Sequence, residues 1–234
     1  AVLKECVRSC TYTVMGDVSQ NIRMDYGISD WEGVKNILLT GERDNFCVLR
    51  KSYRNTVEIA NFASDILAHG EFPGYGAEPV IRHGEAVGIR QTAGKDLYRE
   101  AAKICKGWQT DGFDTIAVIC RDQKQAQETA ELLQKELPVM PWDPEKASFE
   151  KGIMVFPVEY TKGLEFDAVL LLSPDRESYP TDDGHAKLLY VAATRALHRL
   201  EVLHTGNLTG LIADPIPKKN KKRVSGAKKK VVIV

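Results

Sequence analysis

The feature that most constrains the fold is the uninterrupted apolar run Ala168-Val-Leu-Leu-Leu172. A strand with one solvated face alternates apolar and polar residues, whereas a run without polar residues indicates a strand that is covered on both faces. Strands of this kind occur in parallel sheets, in which a crossover helix connects each strand to the next. The run therefore predicts a layered α/β domain.

Further apolar runs, separated by segments of helical periodicity, extend this pattern along the chain. Asn55 with Glu58, and Asp122 with Gln125, have the spacing of capping boxes. We therefore expect a doubly wound, mostly parallel sheet, with helices on both faces and ligands at the carboxyl ends of the strands. The predicted strands are residues 12–15, 46–49, 115–120, 152–156, 168–172 and 201–204, and the predicted helices follow Asn55, follow Asp122 and span 187–200.

Charge divides the chain into an acidic body and a basic tail. Residues 218–234 contain eight Lys or Arg and no acid, although the whole chain carries 32 basic and 32 acidic side chains. Residues 1–217 therefore hold 24 basic and 32 acidic residues, which argues against a broad phosphate-neutralising surface. We interpret residues 1–217 as one domain, with loops or small insertions at 70–95 and 138–150. The tail is either a solvated extension or a basic arm for nucleic acid or an acidic partner.

Several classes of protein are disfavoured by signals that the sequence lacks. No apolar run approaches the roughly 20 residues that span a bilayer, so we expect a soluble, cytoplasmic protein without a membrane partner. The five cysteines are irregularly spaced, so no metal site is predicted. Neither Gly-x-x-x-x-Gly-Lys-Ser/Thr nor Gly-x-Gly-x-x-Gly occurs, so the chain has no phosphate-binding loop of its own.

Four short segments of the sequence carry closely spaced polar or charged residues. They are Gly16-Asp17-Val18-Ser19-Gln20, Ser52-Tyr53-Arg54-Asn55, Lys162-Gly163-Leu164-Glu165-Phe166-Asp167 and Leu189-Tyr190-Val191-Ala192-Ala193-Thr194-Arg195-Ala196. In this order they resemble motifs of the UvrD/Rep-like superfamily 1 helicases, and the resemblance spans residues 12–205. It implies the second RecA-like (P-loop NTPase-like) motor domain, which shares an ATP site with an N-terminal RecA-like domain that lies outside this sequence.

The resemblance also implies roles for the matching residues. Arg195 would be the arginine finger on the γ-phosphate, Arg54 a second cation there, and Gln20 a sensor of the γ-phosphate or the attacking water. ATP would bind with Mg, whose ligands we expect on the other domain. The implied nucleotide-binding residues are Glu165, Gly163, Lys162 and Asp17, and the implied residues for coupling to nucleic acid are Thr161, Tyr160 and Thr194.

The predicted helix 187–200 would place Arg195 at the edge of its buried face. A guanidinium held there is rigid enough to reach a phosphate across an interface, since its planar fork carries fixed donors. The finger role that the resemblance implies for Arg195 predicts that its loss abolishes turnover by the full-length enzyme while hardly altering the fold.

Two departures from the family pattern concern nucleic acid. Many DNA-translocating members have Thr-x-His ahead of Lys-Gly, whereas this chain has Glu159 there, and a carboxylate repels phosphate. The segment after Gln20 has Arg23 and Met24 but no tyrosine, although stacking is worth about 1–3 kcal/mol per base. With Pro157 five residues before Lys162 and the wording of residues 190–195, these departures make the chain resemble most the HelD branch of helicase IV and RNA polymerase-associated ATPases.

Three hypotheses remain open from the sequence. The first is the C-terminal motor half of an ATP-dependent helicase or translocase acting on DNA or RNA, inactive alone because it lacks the phosphate loop. The second is a module that keeps this fold but remodels RNA polymerase mainly through protein contacts. The third, a self-sufficient α/β nucleotide enzyme, is disfavoured because both phosphate-binding loops are absent.

Overall fold

The structure, a computed structural model, describes residues 6, 11–22, 31–39, 41, 44–49, 51–71, 78–79, 81–141, 143, 151–214 and 231–233. The helices are α1 Glu32–Leu38, α2 Val57–Ala68, α3 Leu97–Thr110, α4 Gln123–Leu133, α5 Asp183–Ala193 and α6 Gly210–Ala213. The strands are β1 Phe46–Val48, β2 Lys51–Ser52, β3 Glu78–Pro79, β4 Gly88–Gln91, β5 Thr115–Cys120, β6 Met140–Pro141, β7 Gly152–Pro157, β8 Phe166–Leu172, β9 Ala196–His204 and β10 Val231–Ile233. Single 3-10 turns occupy Val18–Gln20, Gly94–Asp96 and Val158–Tyr160.

Six strands form one sheet in the order β4-β9-β8-β5-β7-β6. All five pairings are parallel, which confirms the sheet predicted from the apolar runs. The apolar run of residues 168–172 lies in β8, which has a strand on each side. Helices pack on both faces of β8, which explains why the strand carries no polar residue there, since neither face meets water.

The sheet separates two hydrophobic cores, and successive residues of each strand alternate between them. On β8, Val169 and Leu171 pack with α2 and α5, whereas Ala168 and Leu170 pack with α3 and α4. Helices therefore cover both faces, and the doubly wound α/β arrangement is confirmed. Among the described residues, no helix combines the length and the apolar character needed to cross a membrane.

The prediction of a helix over residues 187–200 was wrong in its second half. Helix α5 ends at Ala193, and residues from Ala196 onward form the nine-residue strand β9. Leu189, Ala193, Ala196 and Leu200 are all buried, as the helical stripe required, but the last two are buried as strand residues. Pairing with β8 along almost its whole length overrides the local helical periodicity.

Three smaller predictions also need correction. Residues 12–15 form no strand, and Tyr12, Val14 and Met15 are exposed. The predicted loop 70–95 contains edge strand β4, and the predicted loop 138–150 contains β6. The cap of α2 is Thr56, not Asn55, because the Thr56 side chain accepts from the amide of Ile59.

Two short pairings lie outside the main sheet. Strand β1 pairs in parallel with β10, and β2 pairs in parallel with β3. Strand β10 belongs to the segment 218–234, whose basic residues lie outside the described residues, as do Arg23 and Met24. The division between a body and a basic tail stays a prediction.

Asp122 caps α4 as its spacing to Gln125 predicted, with its carboxylate 2.9 Å from the amide of Gln125. Replacing Asp122 with alanine should lower the free energy of unfolding by about 1 kcal/mol, because that amide loses its acceptor. Urea denaturation measures the change. Glu128→Ala, which removes an exposed acid from the same helix, is the control and should change stability by less than about 0.5 kcal/mol. Equal midpoints for the two variants would contradict the assignment.

Candidate functional site

The four sequence segments come together at one edge of the sheet. Glu165 directly precedes β8, and Arg195 directly precedes the neighbouring strand β9. A backbone hydrogen bond joins these two segments, because the amide of Phe166 donates to the Arg195 carbonyl at 2.9 Å. This is the amino edge of the parallel strands, so the expectation of ligands at the carboxyl ends does not hold for these residues.

Arg195 lies in the turn between α5 and β9 and is one of the largest fully buried side chains, only 1% exposed. Its Nε donates to the Val191 carbonyl at 3.0 Å, and its Nη1 donates to the Leu164 carbonyl at 3.1 Å. Its Nη2 donates to the Thr194 hydroxyl at 3.3 Å. Helix α5 ends at Ala193, two residues before Arg195, and the Thr194 amide makes the last helical bond, to the Tyr190 carbonyl.

Arg54 and Glu165 form an ion pair beside this buried guanidinium. The Arg54 Nε lies 2.6 Å from Glu165 Oε1, and both side chains are about two-fifths exposed, at 40% and 42%. Burial lowers the pKa of Arg195 from its usual range, the Arg54 cation lowers it further, and the Glu165 carboxylate partly offsets this. Two guanidinium groups and one carboxylate therefore share one small region.

The segment with Asp17 and Gln20 packs against α5. Asp17 caps the 3-10 turn, accepting from the Ser19 amide at 2.9 Å and from the Gln20 side chain at 2.8 Å. Burial raises the pKa of Tyr190 on α5, and the nearby Asp17 carboxylate raises it further. Asp17 thus ties its own loop together and contributes negative charge to the region of Arg54 and Arg195.

Lys162 and Gly163 form an exposed turn before β8. Gly163 has a φ of +87°, in the left-handed region that favours glycine, so the turn requires this residue type. The roles of Lys162, Gly163, Glu165 and Asp17 in nucleotide binding stay predictions.

The predicted residues for coupling to nucleic acid have different surroundings. Thr161 and Thr194 are buried, and their hydroxyls donate to the carbonyls of Val158 and Val191 at 2.7 Å and 3.0 Å. Tyr160 is 47% exposed, next to the exposed carboxylate of Glu159. In this state the two threonine hydroxyls are committed to the main chain, and only Tyr160 presents its side chain to solvent.

Sequence reasoning missed two residues that organise the site. The Asn55 side chain, predicted as a helix cap, donates instead to the carbonyls of Thr194 and Ala196 at 3.1 Å and 2.5 Å. Arg82, which falls in a predicted loop, donates to the carbonyls of Arg54 and Leu197. Both sets of bonds join segments distant in sequence, so local spacing gave no signal for them.

Tyr53 is a third residue that the sequence did not assign. It precedes Arg54 and is 72% exposed, which is unusual for so large an aromatic side chain. An exposed aromatic ring beside a guanidinium is suited to stack on a nucleotide base.

Comparison with known proteins supports part of the resemblance. Residues 152–203 match the family model for the UvrD-like helicase C-terminal domain, a span that contains Glu165 and Arg195 but neither Asp17 nor Arg54. The chain is also similar to the solved C-terminal domain of a possible DNA helicase from Lactobacillus plantarum, at 24% identity and a TM-score of 0.58. That match covers 71% of this chain and 95% of the other, and it shows a RecA-like α/β fold. No curated protein matches the chain.

Proposed function

We propose that this chain is the second RecA-like motor domain of an ATP-dependent helicase-like enzyme. The observation that carries the proposal is the approach of Arg54 and Arg195 to one edge of the sheet, with Glu165 paired to Arg54. The helicase family match over residues 152–203 includes the Arg195 segment and supports the same conclusion. In the proposed enzyme, this edge faces a phosphate-binding domain outside the sequence.

The donor set at this edge fits a nucleotide phosphate. Guanidinium groups are always charged and present fixed N–H donors to phosphate oxygens. Such donors stabilise the charge that develops as the γ-phosphoryl group is transferred. ATP with Mg supplies the reactive phosphoryl group, and the facing domain supplies the phosphate loop and the metal ligands. Arg195 and Arg54 supply the positive charge, and Gln20 orients water or senses the γ-phosphate.

Arg195 is covered and bonded within its own chain. Three of its five N–H groups donate to atoms of this chain, and almost none of its surface is exposed. Contact with a phosphate therefore requires Arg195 to swing outward or its covering neighbours to separate. Closure of the two domains on ATP is the event that would supply this rearrangement.

Tyr53→Ala should raise the KM of the full-length enzyme for ATP by roughly tenfold with little change in kcat, because a stacking surface for the base is lost. Steady-state ATP hydrolysis over a range of ATP concentrations measures both constants. Tyr53→Phe keeps the ring and should behave as wild type. A normal KM for Tyr53→Ala would show that the ring does not contact the base.

Remodelling of RNA polymerase is a second candidate function, as in the HelD branch. This function is favoured by the loop after β7. Glu159 is exposed there, and the Thr161 hydroxyl is buried and donates to the Val158 carbonyl. A carboxylate at this position repels a nucleic-acid backbone, whereas a protein partner could accept it. The two candidates share the ATP site and differ in the partner that stimulates it.

Hydrolysis of ATP by the full-length protein, alone, with single-stranded DNA and with RNA polymerase, tests both candidates. Stimulation by DNA supports a translocase. Stimulation or complex formation only with polymerase supports the remodelling function. Absence of ATP hydrolysis under all three conditions would contradict the proposed motor function.

A further inference from the structure

The buried side-chain amide of Asn55 connects the segment that carries Arg54 to the segment that carries Arg195. Asn55 is only 5% exposed, and its side-chain nitrogen donates to the carbonyls of Thr194 and Ala196. These carbonyls belong to the residues immediately before and after Arg195. The amide therefore fixes the backbone on both sides of Arg195. Because Asn55 follows Arg54 directly in the sequence, it also ties these positions to Arg54.

Helix formation does not account for this amide. Thr56 caps α2, and the Asn55 side chain makes no capping bond to that helix. Asparagine has two N–H donors on one neutral group, which suits it to serve two carbonyls at once. Aspartate at this position would present oxygens to both carbonyls, and serine could serve only one of them.

Arg82 supplies a second connection between the same two segments. Its Nη2 donates to the Arg54 carbonyl and, at 2.7 Å, to the Leu197 carbonyl in β9. The segment around it is held against α2, because the Val57 amide donates to the Arg82 carbonyl at 3.0 Å. Nearby Gly84 allows this close approach, since an added Cβ would lie 2.7 Å from the Thr56 side chain.

We propose that Asn55 is a positioning residue that sets the spacing between Arg54 and Arg195, so that both cations reach the same phosphoryl group together. The inference rests on the proposed ATP site. Asn55 itself does not contact the nucleotide. It acts through the backbone on either side of Arg195, and Arg82 reinforces it.

The first test is a comparison of Asn55→Ala and Thr209→Ala in the full-length enzyme. Thr209 is a matched control, because it is fully buried, bonded to the Tyr179 carbonyl and located beyond the carboxyl ends of the strands. Asn55→Ala should lower kcat by about 10- to 100-fold with little change in KM for ATP, since small misplacements of a catalytic group have effects of that size. Equal kcat values for the two variants would overturn the positioning role.

Coupling to Arg195 separates positioning from general destabilisation. If Asn55 acts through Arg195, Asn55→Ala should lower kcat by less than about threefold in an Arg195→Lys background, because the group it positions is already compromised. The same fold-loss in both backgrounds would show that Asn55 acts independently of Arg195.

Proton exchange at the Arg195 side chain reports on its positioning without a nucleotide. In the 234-residue chain, the Arg195 Nε–H is buried and bonded to the Val191 carbonyl, so its exchange with solvent should be slow by NMR. Asn55→Ala should accelerate that exchange by at least about tenfold relative to Thr209→Ala. Unchanged exchange alongside Arg195-dependent hydrolysis overturns only the positioning role. Absence of Arg195-dependent hydrolysis instead overturns the proposed function and the catalytic part of this inference together.

Discussion

Replacing Arg195 with lysine in the full-length protein is expected to lower ATP turnover by about 10³-fold or more. Lysine keeps the positive charge but loses the planar fork that presents several fixed N–H donors to a phosphate. The effect should fall on kcat, because the proposed role of Arg195 is to stabilise charge that appears in the transition state.

Lysine is the informative substitution because of where Arg195 lies. The sequence suggested that Arg195 could be removed with little effect on the fold, but the side chain is buried and serves the Val191 and Leu164 carbonyls. Alanine would leave the Leu164 carbonyl without this donor, at about 1–3 kcal/mol for a buried acceptor, whereas the Val191 carbonyl keeps its bond from the Thr194 hydroxyl. We therefore expect Arg195→Ala to lower the melting temperature as well as the activity.

Arg199→Lys is the control for the Arg195 experiment. Arg199 lies on β9, the strand that follows Arg195, and pairs with Glu85, outside the proposed site. Its substitution should leave kcat unchanged. Retained turnover by Arg195→Lys, measured by steady-state phosphate release, would contradict the assignment of Arg195 as the finger.

Arg54→Ala is expected to lower kcat of the full-length enzyme by about 10²- to 10³-fold, the usual loss when one preorganised donor to a developing charge is removed. Its stability should change by no more than about 1 kcal/mol, because the ion pair with Glu165 is two-fifths exposed and is screened by water. Activity and stability are therefore separable at this position, in contrast to Arg195.

The matched control is Arg176→Ala. Arg176 forms an ion pair with Asp214 at 2.6 Å, the same N–O distance as the Arg54 pair, and its side chain is also well exposed. Its removal should change neither kcat nor the midpoint of denaturation appreciably. If Arg54→Ala and Arg176→Ala have the same activity, Arg54 is a surface ion-pair residue without a role at the ATP site.

The sequence was most informative where local chemistry decides the structure. The apolar run at 168–172 indicated a central parallel strand because burial on both faces leaves no place for a polar residue. The spacing of Asp122 and Gln125 located the start of α4 because a cap and its partner are only three residues apart.

The sequence was less informative where contacts between distant segments determine the structure. Pairing with β8 converts residues 196–200 from predicted helix into strand β9, and this moves Arg195 from a helix face into a buried turn. Asn55 had the spacing of a helix cap, but its side chain bonds to a segment about 140 residues further along the chain. Neither outcome leaves a local signal, because both depend on which strand lies beside which.

A structure of the full-length protein with ADP, Mg and aluminium fluoride, which mimics the transferring phosphoryl group, would show directly whether both arginines reach that group. We expect the Arg195 and Arg54 guanidinium groups both to lie about 2.7–2.9 Å from the fluoride atoms, the usual length of a charge-assisted hydrogen bond. We also expect the Arg54–Glu165 ion pair to be broken or rearranged. If Arg195 is still bonded to the Val191 and Leu164 carbonyls while other cations contact the fluoride, Arg195 is not the finger.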